Sequence, residues 1–65
     1  MQRLYTYEHP RDGRRVEIFQ APRHDGLVYL IREGAGQDSV ALDRKVMDAY
    51  RHDLSSLGYR LLETF

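Results

Sequence analysis

Cysteine is absent from these 65 residues. Disulfides and thiolate zinc sites are therefore excluded as supports, and a reducing compartment fits. Charge of one sign is also lacking. Ten basic residues balance ten acidic ones for a formal net charge of zero, which points to neither a histone-like basic protein nor a uniformly acidic DNA mimic. Lysine is nearly missing, since nine of the ten basic residues are arginine. Arginine suits stacking and bidentate contacts better than lysine does. No apolar run approaches the ~20 residues needed to span a bilayer, and the opening "MQRLYTYEHP" is too polar for a signal peptide. The expectation is a soluble, cytoplasmic protein, with residues 1–65 forming a single small α+β domain. A chain this short buries only roughly 60% of its unfolded surface and is marginally stable, so a second subunit is a natural support.

Catalytic apparatus is lacking too. No Ser/His/Asp order or paired-carboxylate pocket is visible, and "GAGQDS" (34–39) has neither the lysine nor the spacing of a phosphate-binding loop. Small domains have difficulty enclosing a pocket of the usual ligand volume. The expectation is a non-enzyme without a cofactor or small-molecule substrate. His9, His24 and His52 raise a metal reading, with Asp48 and His52 one helical turn apart. Both fall on the polar side of the helical wheel, where solvated side chains are ordinary, so no metal is expected.

What is present is strand and turn chemistry. "RLYTYEH" (3–9) is rich in Tyr and Thr and reads as a strand. "PRDG" (10–13) reads as a turn, "RRVEIFQA" (14–21) as the returning strand, "PRHDG" (22–26) as a second turn and "LVYLIRE" (27–33) as a third strand. "GAGQD" (34–38) reads as a loop before a helix capped by Asp38 or Ser39. In that helix Leu42, Val46, Ala49, Tyr50, Leu54 and Leu57 recur at spacings of three, four and seven, one apolar stripe. Gly58 follows, where a left-handed residue ends a helix, and "YRLLETF" (59–65) reads as a fourth strand. The predicted fold is an α+β two-layer sandwich, a three-stranded antiparallel meander followed by one helix and a fourth strand, β-β-β-α-β.

Turn lengths fix which side chains share a face. A four-residue loop at 10–13 sets Tyr7 opposite Val16 and Tyr5 opposite Ile18, and a loop at 23–26 sets Pro22 opposite Leu27 and Ile18 opposite Ile31. One face then carries Tyr5, Tyr7, Val16, Ile18, Leu27, Tyr29 and Ile31. This richer set belongs under the helix, against Val46, Tyr50, Leu54 and Leu57. The other face carries Leu4, Thr6, Glu8, Arg15, Glu17, Phe19, Val28, Leu30 and Arg32. Across its middle runs an apolar row, Leu4 opposite Phe19 opposite Leu30, with Val28 beside it. Scattered apolar side chains on an open sheet face are normal, but a contiguous patch of several hundred Å² marks an interface.

The expected function is a small protein-interaction module, acting as a homodimer or as an inhibitor or regulator docking on a larger machine. Leu4, Phe19, Val28 and Leu30, with Arg15 and Arg32 beside them, form the expected partner surface. The alternative is nucleic-acid binding through the sheet and its first hairpin, with Arg3, Arg14 and Arg15 on phosphates and tyrosines stacking on bases. Against it, the face assignment turns those tyrosines toward the helix. Asp53 breaks two local rules, since it falls inside the apolar stripe and in the last helical turn, where a negative charge opposes the dipole. A hydrogen bond from a tyrosine or a pair with Arg60 is expected for it, or else a partner contact.

Overall fold

The structure, a computed structural model, describes residues 1–64. Phe65, included in the predicted fourth strand, lies outside the described residues. A five-stranded antiparallel sheet and one helix make an α+β fold. The strands are β1 (Gln2–Glu8), β2 (Arg15–Arg23), β3 (Gly26–Glu33), β4 (Gln37–Ala41) and β5 (Arg60–Thr64), and helix α1 (Arg44–Ser56) lies between β4 and β5 in the chain. Across the sheet the strands run β4-β3-β2-β1-β5, so β4 and β5 are its edges.

The two predicted hairpins form in the predicted register. Tyr7 pairs with Val16 and Tyr5 with Ile18, while Pro22 pairs with Leu27 and Ile18 with Ile31. In the first turn the His9 amide donates to the Arg14 carbonyl at 2.8 Å, closing a four-residue loop. The second is tighter than predicted. Arg23 pairs with Gly26, which leaves only His24 and Asp25 in the turn.

The fourth element differs from the expectation. Residues 37–41 are not a loop and a helix cap but strand β4, paired along β3 from Glu33↔Gln37 to Tyr29↔Ala41. The order is therefore β-β-β-β-α-β rather than β-β-β-α-β. Asp38 and Ser39 lie in that strand, and the N-cap is Asp43, whose carboxylate accepts from the Val46 amide at 2.9 Å. The helix ends as predicted. Gly58 takes φ +95°, a conformation that disfavours side chains, and the Tyr59 amide donates back to the Leu54 carbonyl at 3.0 Å.

The helix buries a stripe rotated from the predicted one. Met47 (1% exposed) and Leu54 enter the core with Tyr7, Val16, Ile18, Tyr29, Ile31 and Ala41, and Tyr50 packs partly against them. Val46 is 52% exposed and Leu57 68% exposed, and Leu42 and Ala49 are exposed too. Leu27, assigned to the covered face, lies exposed at the hairpin end. The covered face accordingly closes around fewer side chains, with Ile18 at its centre and fully buried.

Candidate functional site

The sheet face turned away from the core is built by cross-strand pairing, which lines its side chains into transverse rows. One row runs Arg3–Phe19–Leu30–Val40, with Ala21–Val28 beside it toward the β2–β3 turn. Toward the other end lie Glu63–Thr6–Glu17–Arg32–Asp38 and then Arg60–Glu8–Arg15. Phe19, Ala21, Val28 and Leu30 are half-buried, and Val40 is exposed. The face thus has an apolar end and a charged end.

Five of the six predicted partner residues, Phe19, Val28, Leu30, Arg15 and Arg32, are brought together here. Leu4 is not. A β-bulge between Arg3 and Tyr5 shifts the register, so that Arg3 opposes Phe19 where Leu4 was expected, and Leu4 packs partly buried against the core. An extra residue in one strand is left unpaired and re-aims its neighbours. Val40 and Asp38 belong to the face only because residues 37–41 form β4, where the sequence suggests the end of a loop, a helix cap and the first helical residues. The contribution of Ala21 was missed because one methyl carries little pattern signal.

Three arginines on this face are each neutralised by a carboxylate. Arg3 meets Glu17 at 2.9 Å, Arg32 meets Asp38 at 3.0 Å and Arg15 meets Glu8 at 3.5 Å. The hydrogen bond to Asp38, with that carboxylate's charge, raises the Arg32 pKa further above its ordinary value, and its guanidinium lies 5.2 Å from the Phe19 ring centroid. Thr6 sits among these charges, buried, and its Oγ1 has no hydrogen-bond partner among the described residues.

The nucleic-acid candidates are placed differently from what that reading needs. Arg3 and Arg15 are paired as above, and Arg14 donates to Asp12 at 2.9 Å. The Arg14 backbone amide, which donates to Asp12 at 3.1 Å, is the main cause holding that carboxyl below its ordinary pKa. Tyr7 and Tyr29 are buried in the core. The ring of Tyr5 is covered by the Arg51 guanidinium at 3.6 Å, and Arg51 also donates to the Tyr7 hydroxyl at 2.9 Å. The rings of Tyr5, Tyr7 and Tyr29 are thus engaged within the fold.

One open cleft lies along the helix, and another lies just past its C-terminal end beside the first hairpin. The larger, about 420 Å³, is lined by Tyr7, Arg44, Asp48, Arg51, His52 and Ser55. Asp48 lies 3.7 Å from both Arg44 and Arg51, so its charge is shared between two cations. The smaller, about 210 Å³, includes His9 and Tyr59. His9 Nε2 lies 3.2 Å from the Leu57 carbonyl and its ring meets Tyr59 edge-on, tying the first hairpin to the end of the helix. Among the described residues no group of three or more His, Asp or Glu side chains is arranged to hold a metal ion. Asp53 is exposed, and among the described residues its carboxylate makes neither the expected hydrogen bond from a tyrosine nor the pair with Arg60.

No known protein family, curated protein or solved structure matches this chain. No helix among the described residues is long and apolar enough to cross a membrane. A face with an apolar end and a charged end, most of whose arginines are paired within the chain, has the composition of an apolar patch with a polar rim.

Proposed function

We propose that the chain is a small cytoplasmic protein-interaction module. It works by binding rather than catalysis, with a helix layer closing one face of the sheet and the other face held open for a protein partner whose activity it inhibits or regulates. The observation that supports this reading is the continuous apolar surface of Phe19, Ala21, Val28, Leu30 and Val40 on the face that the helix leaves uncovered. Apolar surface of this kind on a small chain is costly to leave in water and gains about 25 cal/mol for each Å² covered. The surrounding ion pairs are already satisfied and contribute orientation more than affinity.

Phe19→Asp tests the reading. It places a charge at the centre of the apolar row while leaving the core untouched. The expected outcome is a chain that keeps its circular dichroism spectrum and thermal transition but no longer retains, on an affinity matrix, the partner that wild type captures from its host. Equal capture by the variant would remove this face from the function.

A further inference from the structure

We infer that strand β5 is a self-association edge, where a second copy of the chain adds its own β5 antiparallel and joins two sheets into one of ten strands. β5 is an edge of the sheet, and all five of its residues are exposed. An uncovered strand edge presents unpaired amides and carbonyls that template another strand. This edge also carries Leu61 (45% exposed) and Leu62 (42% exposed), an apolar pair unusual for an edge left in water.

The order Arg60-Leu61-Leu62-Glu63 is what commits the occupant to a second copy. Read against itself in reverse, it sets Arg60 opposite Glu63, Leu61 opposite Leu62, and the same two contacts again across the axis. A two-fold interface requires this self-complementarity. The axis must stand perpendicular to the sheet, so opposed residues must share a face. Residues three apart in a regular strand do not. Here a bulge shifts the register: Arg60 pairs with Glu8, and Glu63 pairs with Thr6, two residues away along β1. Arg60 and Glu63 therefore both lie on the open face. Bulges usually blunt an edge, but this one aligns two opposite charges for a symmetric contact.

The charges point the same way. Arg3, Arg15 and Arg32 on the open face each meet a carboxylate of their own chain. Arg60 and Glu63 form no ion pair with any described residue. The dimer gives each its partner. It also leaves both open faces on the same side, doubling the surface assigned above without using it. A strand edge this short falls below the ~800 Å² per partner of a standard interface, so the dimer is weak and concentration-dependent.

Sedimentation equilibrium across a roughly thousandfold concentration range, up to the millimolar level, tests the inference. Wild type should pass from monomer to dimer. Glu63→Arg, at a position that pairs with Thr6 across the strands, and Arg60→Glu should each weaken dimerisation at least tenfold or so, because two attractions become two repulsions. The double variant Arg60→Glu/Glu63→Arg should restore it to within about threefold of wild type. Circular dichroism checks that all are folded. Phe19→Asp should dimerise like wild type, which separates this association from the open-face reading. A wild type that stays monomeric throughout, single charge variants that dimerise unchanged, a double variant that fails to recover, or a dimer lost in Phe19→Asp would each overturn it.

Discussion

Met47 and Val46 adjoin in the chain and differ sharply in environment, 1% against 52% exposed. Both are apolar, so composition cannot separate them, and each completes a helical stripe with Tyr50 and Leu54. The competition was decided by the sheet, which meets the helix on the Met47 side. Met47→Ala should cost about 2–5 kcal/mol, and Val46→Ala under about 0.5 kcal/mol, both read by urea denaturation. Equal losses would return the helix to the orientation its sequence suggested. Thr6 yields an opposite kind of prediction. Its buried hydroxyl lacks a described partner, so the nearly isosteric Thr6→Val should be neutral or stabilising, because no hydrogen bond is lost and a desolvated group is removed. A loss above about 1 kcal/mol would reveal a partner. Tyr50 titrates late. Burial first, then its hydrogen bond to Glu33, raises the hydroxyl above its ordinary 10.0. A folded-state pKa above the unfolded one stabilises fully below pH 10 and loses that contribution as pH rises through the raised value. Stability measured at about pH 8 and about pH 11 should therefore fall more in wild type than in Tyr50→Phe.

Among the elements, the two hairpins were legible and the fourth strand was not. Pro, Asp and Gly at the turns set loop lengths, and loop length sets parity, so Tyr7↔Val16 and Ile18↔Ile31 followed before any packing was known. β4 defeats the same logic because "QDSVA" is short and begins with residues that favour caps and turns. Asp38, Ser39 and Asp43 all resemble an N-cap. Tertiary pairing selects among them. Ser39 opposes Ile31 and Asp38 reaches Arg32, so the chain stays extended until Ala41 is buried, and the helix starts three residues later at Arg44, capped by Asp43. Glycines at 34 and 36, with φ +64° and +113°, permit the tight reversal that makes β4 possible. Asp43→Ala should cost about 1 kcal/mol through loss of the cap, with reduced helical signal near the melting temperature. Asp38→Ala removes only an exposed ion pair and should cost less than that. The reverse ranking would mean that the helix begins where the sequence suggested. The bulge at Leu4 left no trace in the pattern, because leucine fits either face of the strand.

At the scale of the whole molecule, 65 residues with a Cα radius of gyration of 11.5 Å supply one small core and one uncovered sheet face. Three of the five apolar residues of the candidate surface, Phe19, Val28 and Leu30, are legible in the sequence because their placement depends only on hairpin parity. Val40 required β4, and the loss of Leu4 required the bulge. The balance between apolar and ionic character on that face sets its response to salt. The Debye length falls from about 10 Å at 0.1 M to about 3 Å at 1 M, which weakens exposed pairs such as Arg15–Glu8 and Arg3–Glu17 but leaves apolar burial in force. Partner affinity through the open face should therefore change by less than about tenfold over that range. Binding to duplex DNA through Arg3, Arg14 and Arg15 would behave otherwise, because three phosphate contacts imply a loss of roughly 500-fold for a tenfold rise in salt. Those arginines would also have to leave Glu17, Asp12 and Glu8 to reach phosphate. An anisotropy titration with labelled partner and with labelled oligonucleotide, each at both salt concentrations, distinguishes the two modes. Salt-tolerant partner binding that Phe19→Asp abolishes and that Arg14→Ala/Arg15→Ala, which removes one arginine from the charged end of that face, weakens by no more than about fivefold is the expected result. Submicromolar oligonucleotide binding at about 0.15 M salt, steeply salt-dependent and lost in the double arginine variant, would put a nucleic acid in the partner's place.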